Sequence, residues 1–187
     1  MSSQSKILLT PEEYLAIERR AETKSEYFAG EMFAMVGASR RHNLIAANII
    51  RVLGNQLLDK PCHVYPSDMR VKVNATGKYT YPDVVVACEE EKFDDALNDT
   101  LLNPVVIVEV LSESTEAYDR GEKFEHYQYI ESLKDYLLVS QSPYRIEHYV
   151  RQGKRDWRYS EYHDVDEVVK LNIIGAELAL KDVYAKV

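Results

Sequence analysis

Two acidic residues lie inside runs of β-branched residues, where an ionised side chain is unexpected. Asp83 precedes three valines, and Glu109 interrupts the apolar run 105–111. A carboxylate within a buried strand is costly unless it is paired or bound to a metal ion. If the two strands are sheet neighbours, about 5 Å apart, their carboxylates can share one hard cation. Alternatively, each acid caps the end of a strand or meets an arginine.

Two basic residues are further candidates for a contact with phosphate. His42 lies near the start of a predicted helix, where it contacts phosphate, acts as a base, or is a capping or surface residue. Arg70 projects from the same strand face as Lys72, with Asp68 beside them, so the two cations bind phosphate or pair with Asp68. A later hairpin carries aromatic and basic residues that can stack on bases, but alternating aromatics in a hairpin more often pack across the strands.

Three helices are predicted to position these residues. Thr10 and Glu13 form a capping-box pattern at the start of the first helix, and a hairpin turning at residues 29–30 follows it. The apolar residues of the second helix recur at the helical period, which predicts one buried face. Thr115 is the expected cap of the third. The expected ranges are about 10–24, 41–58 and 115–130.

The strand pattern predicts a mixed sheet. Residues 68–73 alternate between polar and apolar, which indicates one buried face. Residues 81–86 and 105–111 are continuous apolar runs, which are typical of central strands covered on both faces. Further strands are expected at 136–139, in a hairpin over 145–162 and at 168–173. The order α-β-β-β-α-β predicts an α/β fold, a mixed β-sheet core flanked by helices, in one domain over residues 1–187.

The acidic composition argues against a general nucleic-acid coat protein. The formal net charge is −8, whereas a general nucleic-acid coat protein leaves a basic footprint. A nuclease is not excluded, because a cluster of carboxylates that recruits metal is itself acidic. Much of the acid excess lies in residues 89–95, which we interpret as a solvated loop.

Cysteine usage and hydropathy indicate a cytoplasmic protein. Cys62 and Cys88 are the only cysteines, without the spacing of a zinc site. Nothing in the sequence indicates a secreted disulfide scaffold, so we expect two reduced thiols in apolar strands. No apolar run is long enough to cross a bilayer, and the first ten residues lack a signal-peptide core.

The order of these segments and motifs resembles the PD-(D/E)XK nuclease superfamily, and more closely its Uma-type family of bacterial restriction endonucleases. The central motif is the Pro82–Asp83 pair followed by Glu109. A proline–aspartate pair alone is a weak motif, but an ordered set that covers nearly the whole chain is specific. The other matching positions are the opening helix and residues 26–27, 30–31, 42, 67–70, 81, 84–85, 108, 110–112, 119, 123 and 127.

The resemblance implies a metal-dependent phosphodiesterase. Asp83 and Glu109 would bind Mg²⁺ or Mn²⁺, and the backbone carbonyl of Val110 would complete the protein ligands. The chain departs from the superfamily pattern at Leu111, which replaces the lysine expected two residues after the glutamate. That lysine orients water and stabilises the transition state, so its replacement bears directly on catalysis.

Lys123 is the candidate replacement for the missing lysine. Asp119 and Lys123 are one helical turn apart and share a face, with Tyr127 on the next turn. The spacing alone favours a surface ion pair. The family resemblance favours a catalytic lysine that has moved to the third helix.

The leading hypothesis is therefore a Mg²⁺-dependent DNA endonuclease that hydrolyses phosphodiester bonds. The alternative is a nuclease-fold module that binds nucleic acid, or serves as an accessory, without cleaving it. A serine hydrolase is disfavoured, because Ser112 and His42 are present without a nucleophile elbow. By analogy with nucleases that cut both strands, the expected partners are DNA and a second copy of the chain, with no membrane.

Overall fold

The computed structural model describes residues 8–187. Residues 1–7, which contribute to the predicted absence of a signal peptide, lie outside the described range. The helices are α1 (Pro11–Glu18), α2 (Arg40–Gln56), α3 (Glu116–Tyr118), α4 (Phe124–Tyr127) and α5 (Leu180–Val183), with a π-helical turn at Asp119–Lys123 that joins α3 to α4. Over residues 8–187, no helix is long and apolar enough to span a membrane.

The strands of the same range form three sheets. One has the order β2-β1-β5-β4-β7, the second has the order β11-β10-β9-β8-β6-β3, and β12 pairs with β13. The predicted hairpins at 29–30 and within 145–162 are confirmed. The strands are β1 (Ser25–Phe28), β2 (Glu31–Ala34), β3 (Cys62–Pro66), β4 (Arg70–Val73), β5 (Lys78–Thr80), β6 (Val84–Cys88), β7 (Thr100–Leu101), β8 (Val106–Val110), β9 (Asp135–Val139), β10 (Ile146–Arg151), β11 (Trp157–Tyr162), β12 (Val168–Leu171) and β13 (Ala176–Ala179).

The predicted α-β-β-β-α-β core is formed by strands of the six-stranded sheet and the helices that pack on it. In chain order the core comprises α2, β3, β6, β8, the helix from α3 to α4, and β9. β8 is antiparallel to β6 and parallel to β9, and all five of its residues are buried. The predicted α/β class is thus confirmed, and the continuous apolar runs are central strands covered on both faces.

Two apolar clusters cover the faces of this sheet. On one face α2 packs with α5 and the β12–β13 pair through residues such as Ile49, Leu53 and Leu178. On the other face α4 and β4 pack through residues that include Tyr127 and Val71. The second face is the one toward which Glu109 projects, because the residues two positions before and after it, Ile107 and Leu111, belong to that cluster.

One of the three core strands was predicted wrongly. Residues 68–73 were expected to form the first core strand, but β4 belongs to the five-stranded sheet, and β3 takes that place. β3 is an edge strand that is only partly buried and ends at Pro66. Such a strand lacks both the apolar run and the alternation that reveal a strand in sequence.

The first helix begins as predicted and ends early. Thr10 and Glu13 form the capping box, but α1 ends at Glu18 rather than near Lys24. The Glu18 side chain accepts a hydrogen bond of 2.9 Å from the backbone N–H of Ser25. This contact ties the end of α1 to the start of β1, so the six residues between them form the turn rather than more helix.

The third helix also differs in detail from the prediction. It spans residues 116–127 rather than 115–130, and the π-helical turn interrupts it. Thr115 makes no capping hydrogen bond with its side chain. Its hydroxyl contacts that of Ser112 instead, at 2.9 Å.

The expectation of two reduced thiols was wrong. Cys62 and Cys88 form a disulfide. The two residues face each other across β3 and β6, and the flanking backbone hydrogen bond from Glu89 to Pro61 marks this as a non-hydrogen-bonded pair. In such pairs the side chains are close, so the pairing arises from strand register, which cysteine spacing in the sequence does not reveal.

Candidate active site

The sheet register brings Asp83 and Glu109 together. Val84 of β6 is opposite Val108 of β8, so an extension of the antiparallel register by one residue places Asp83 opposite Glu109. Directly opposite residues project to the same face of a sheet. The two acids therefore belong to one site rather than to opposite faces.

Asp83 joins three elements through its two carboxylate oxygens. Its Oδ1 is 2.8 Å from Nε2 of His42 at the start of α2, and its Oδ2 accepts the backbone N–H of Val110 at 2.7 Å. Ser39 caps α2 and accepts the backbone N–H of His42, which fixes that end of the helix. The side chains of Asp83 and His42 are each 15% exposed, so this is the side of the site that solvent reaches.

Lys123 connects the site to three buried carboxylates. Its Nζ is 2.8 Å from Oε1 of Glu109, 3.2 Å from Oε1 of Glu26 and 3.5 Å from Oδ1 of Asp119. Asp119 and Lys123 are each only 4% exposed. The structure thus excludes the surface ion pair and places the lysine beside Glu109. Leu111, which occupies the motif's lysine position, is buried in the apolar cluster below.

The π-helical turn aims these side chains inward. It spans Asp119 to Lys123, and Tyr127 follows one turn later with its hydroxyl 3.0 Å from Oε1 of Glu109. A second tyrosine, Tyr136, donates a hydrogen bond to the Asp119 carbonyl at 2.9 Å. A π-helical turn within an α-helix is rare and is frequently found at functional sites. Here it lets an acid, a lysine and a tyrosine face one strand.

Burial and the single ammonium group set the protonation of the cluster. Burial raises the pKa of Glu109 well above its ordinary value, although Lys123 opposes this, and burial also raises the pKa of Asp119. Burial lowers the pKa of Lys123, but Glu109 and Glu26 outweigh it, so the pKa lies well above the usual range. For Glu26 burial acts upward, yet Lys123 and the hydroxyl of Tyr118 lower the pKa overall. The site holds more acid than one lysine neutralises.

Arg70 lies outside this group of residues. It is 3% exposed, and its guanidinium bonds to the hydroxyls of Thr100 and Tyr81 and to the carboxylate of Asp99. Of the two alternatives left open by the sequence, the pairing with Asp68 is not found, because Asp68 contacts Lys24 and Lys72 contacts Asp94. α1 covers this part of β4, since Arg70 also lies over the ring of Tyr14.

The aromatic hairpin is largely a packing element. Trp157 and Tyr149 pack against Phe124 of α4. Arg151 donates to backbone carbonyls at the end of α4, including those of Gln128 and Ile130. These contacts favour cross-strand packing over base stacking for the inner side of the hairpin.

Sequence reasoning missed Glu26 and Tyr118. Glu26 is 7% exposed in β1, and Tyr118 donates a hydrogen bond of 2.6 Å to its Oε2. β1 has only four residues, so Glu26 does not interrupt an apolar run as Glu109 does. Its one signal in the sequence was that residues 26–27 are among the positions that match the family.

The donor set suits a magnesium site. Asp83, Glu109 and the carbonyl of Val110 offer hard oxygen ligands, and Mg²⁺ uses one or two carboxylates with waters and substrate phosphate. Among residues 8–187, no three His, Cys, Asp or Glu side chains converge as a complete metal site. The donors that Asp83, Glu109 and Val110 present are oxygen atoms, which suit Mg²⁺ completed by water and phosphate better than zinc with its nitrogen and sulfur ligands.

Comparison with known proteins gives a consistent assignment. The family model described as "Uma2: Putative restriction endonuclease" matches residues 11–181. Two relatives from Synechocystis sp. are named uncharacterized proteins sll1609 and slr1290. The first is 41% identical over 82% of this chain and 87% of its own length, and the second 39% identical over 94% and 91%. The crystal structure of a putative nuclease belonging to DUF820 from Anabaena variabilis superposes with a TM-score of 0.76 at 18% identity, covering 95% of this chain and 98% of that one.

Proposed function

The chain belongs to the Uma2 family of restriction-endonuclease-like proteins, and we propose that it is a metal-dependent DNA endonuclease. Family membership supports a nuclease function in general. The substrate, the metal ion and the catalytic residues are the specific parts of the proposal. We extend it to one nuclease-like domain over the whole chain, a cytoplasmic location, and a homodimer when both strands of a duplex are cut.

One observation carries the proposal, namely the 2.8 Å contact between Nζ of Lys123 and Oε1 of Glu109. The motif position two residues after Glu109 holds Leu111, so the chain lacks the usual local cation. Lys123 supplies an ammonium group at the same carboxylate from a different element. The two acids and the lysine that the chemistry needs are therefore all within one site.

Each residue has a role that follows from its contacts. Asp83 and Glu109, with the carbonyl of Val110, would hold Mg²⁺ or Mn²⁺, which would polarise the scissile phosphate and lower the pKa of a bound water. Lys123 stabilises the negative charge that develops on the phosphate.

The neighbouring residues orient this machinery. His42 holds Oδ1 of Asp83 from the solvent side, where it can also contact phosphate. Asp119 keeps the ammonium of Lys123 on the inner face of its helix. Arg70 has no part in the proposal, because its guanidinium is buried among other partners.

A plasmid-nicking assay with Mg²⁺ or Mn²⁺ tests the function. Wild type should convert supercoiled DNA to nicked or linear forms, and chelation should stop the reaction. Asp83→Asn keeps the shape of the side chain and should abolish cleavage, while Asp68→Asn, at an exposed acid that pairs with Lys24, serves as the matched control. If correctly folded wild type cleaves neither DNA nor RNA with any divalent ion, the nuclease-fold binding module is the better description.

A further inference from the structure

Glu26 has a position that the proposed chemistry does not yet use. It lies on β1 of the five-stranded sheet, whereas Glu109 lies on β8 of the six-stranded sheet. Lys123 bridges the two carboxylates, at 3.2 Å and 2.8 Å. One buried ammonium group thus joins two sheets through two acids.

The two acids are held in different ways. Glu26 presents Oε1 to Lys123 while its Oε2 accepts the hydroxyl of Tyr118 at 2.6 Å, so it is fixed on both oxygens. On Glu109, both Lys123 and Tyr127 contact Oε1, the carboxylate that would also serve a divalent ion. Glu109 therefore has two competing uses, and Glu26 has one.

This competition raises a physical problem for the lysine. Lys123 and Tyr127 both contact Oε1 of Glu109, so a divalent ion would bind through Oε2 or replace them on Oε1. In either case the cation draws on the same negative charge, and the ion pair between Glu109 and Lys123 weakens. A buried ammonium group without a partner is strongly unfavourable. Asp119 is more distant, at 3.5 Å, so Glu26 is the closer remaining carboxylate.

The other buried lysine nearby does not compete for this role. Lys78 is 2% exposed and pairs with Glu122 at 2.9 Å. It also lies over the rings of Phe28 and Tyr118. Its ion pair is thus with Glu122, and although its charge also acts on Glu26, the ion pair of Glu26 among residues 8–187 is with Lys123.

We propose that Glu26 is a positioning residue, the fixed counter-ion that keeps the Lys123 ammonium in the site while Glu109 shares its negative charge with a divalent cation. The inference rests on the proposed function, because it takes Glu109 as a metal ligand. The hairpin of β1 and β2 would then serve the metal site as well as the fold.

The test measures Mn²⁺ affinity by calorimetry in a double-mutant cycle. With Glu26→Gln, Lys123 depends more on Glu109 and competes with the ion, so Mn²⁺ binding should weaken by roughly tenfold, within the usual range of coupling between sites. In the Lys123→Met background no ammonium competes, so the same Glu26→Gln change should leave Mn²⁺ affinity unaltered. A purely structural Glu26 would have the same effect in both backgrounds.

Two matched variants complete the experiment. Tyr118→Phe removes the hydroxyl that fixes Glu26 but keeps all charges, so it should weaken Mn²⁺ binding in the same direction and less. Glu18→Gln alters another glutamate that is 6% exposed and bonds to the neighbouring strand residue Ser25. That variant should leave Mn²⁺ affinity unchanged.

The outcomes separate the two proposals. If Glu26→Gln lowers Mn²⁺ affinity equally with and without Lys123, or does not lower it at all, the role of Glu26 is overturned and the nuclease proposal stands. If wild type binds no Mn²⁺ that depends on Asp83 and Glu109, the proposed function fails first. Thermal unfolding of each metal-free variant confirms that the comparison is made between folded proteins.

Discussion

Two charged groups on either side of the five-stranded sheet differ in their ratio of acids to cations, and the second is partly exposed at Arg19 and Asp99. The Lys123 cluster comprises Glu26, Glu109, Asp119 and Lys123, so three carboxylates surround one ammonium group. The Arg70 cluster comprises Glu18, Arg19, Arg70, Tyr81 and Asp99. There Arg19 forms two hydrogen bonds to Asp99, and Arg70 contacts the same carboxylate at 3.0 Å.

The difference shows in the protonation of the acids. In the Arg70 cluster, hydrogen bonds from Arg19 hold the pKa of Asp99 below its ordinary range. In the Lys123 cluster, burial raises the pKa of Glu109 and of Asp119, whereas Lys123 and Tyr118 lower the pKa of Glu26. A matched network stabilises a fold, whereas buried acids that remain hard to ionise are typical of functional sites. The comparison predicts that changes in the first group reduce stability and changes in the second reduce activity.

The largest expected effect is the loss of cleavage rate in the variant Lys123→Met. Removal of the ammonium should lower the rate by about 10²–10⁴-fold, the usual scale for a charge-stabilising group. Lys123→Arg should rescue poorly, because a rigid guanidinium fork does not replace a compact point charge. Single-turnover cleavage of plasmid DNA measures the effect. Arg70→Met is the matched control, and its rate per folded molecule should equal that of wild type; equal losses would remove the distinction between the clusters.

The second-largest effect is expected for Arg70→Met, which should lower the free energy of unfolding. The variant removes the guanidinium donor from the hydroxyls of Thr100 and Tyr81, which keep their hydrogen bonds to Asp99 and Glu18, and it breaks the contact between Arg70 and Asp99. We expect a loss of about 3 kcal/mol in the free energy of unfolding, the lower end for a broken buried pair because Asp99 is partly exposed. Urea denaturation measures this free energy. A loss below about 1 kcal/mol, the scale of an exposed pair, would show that the cluster is not a stabilising network.

A smaller effect on stability is expected for Glu109→Gln. Lys123 keeps its contacts with Glu26 and Asp119, and the change removes one of three carboxylates that surround a single ammonium group. The free energy of unfolding should therefore stay within about 1 kcal/mol of wild type. Cleavage should nevertheless be lost, because the amide is a poor metal ligand. Urea denaturation and the nicking assay on the same sample check both parts. A strong destabilisation would indicate that the Glu109 pair serves the fold.

The central strands could be predicted from sequence because burial on both faces leaves a continuous apolar run. Residues 84–86 and 106–110 show this directly. The edge strand β3 and the three-residue β5 have no such signal, since a short or half-exposed strand has too few residues to reveal a period. The π-helical turn and the disulfide depend on tertiary packing and strand register, and neither has a local pattern.

The candidate site was predictable only in part, for a related reason. Asp83 and Glu109 were found because they break an apolar pattern. Glu26 breaks none in its four-residue strand. Arg70 was expected to face solvent because alternation shows that a strand has two faces, but it does not show that α1 covers the polar one. Sequence patterns thus reveal a buried charged residue when it interrupts an apolar run, as Glu109 does, and miss one in a short or polar strand.

The smallest effect concerns pH and gives the two clusters opposite signs. In the Arg70 cluster the folded pKa of Asp99 lies below the unfolded value, near 4. Its contribution to stability is therefore present above that value and is lost as pH falls through the folded pKa. For Asp119 the folded pKa is raised, so the folded state binds the proton more tightly than the unfolded state does. Ionisation of this carboxyl therefore destabilises the fold as pH rises above the unfolded pKa, near 4.

This contrast can be measured with Asp99→Asn and Asp119→Asn as a matched pair of single substitutions. Urea denaturation from about pH 3 to pH 7 gives the free energy of unfolding of each variant relative to wild type. The stability advantage of wild type over Asp99→Asn should shrink as pH falls below about 4, because the unfolded chain takes up the proton first. The stability of wild type relative to Asp119→Asn should instead fall as pH rises from about 4. If both differences have the same sign of slope, the charge balance of the two clusters is alike, and the distinction between a network for the fold and a network for the reaction is lost.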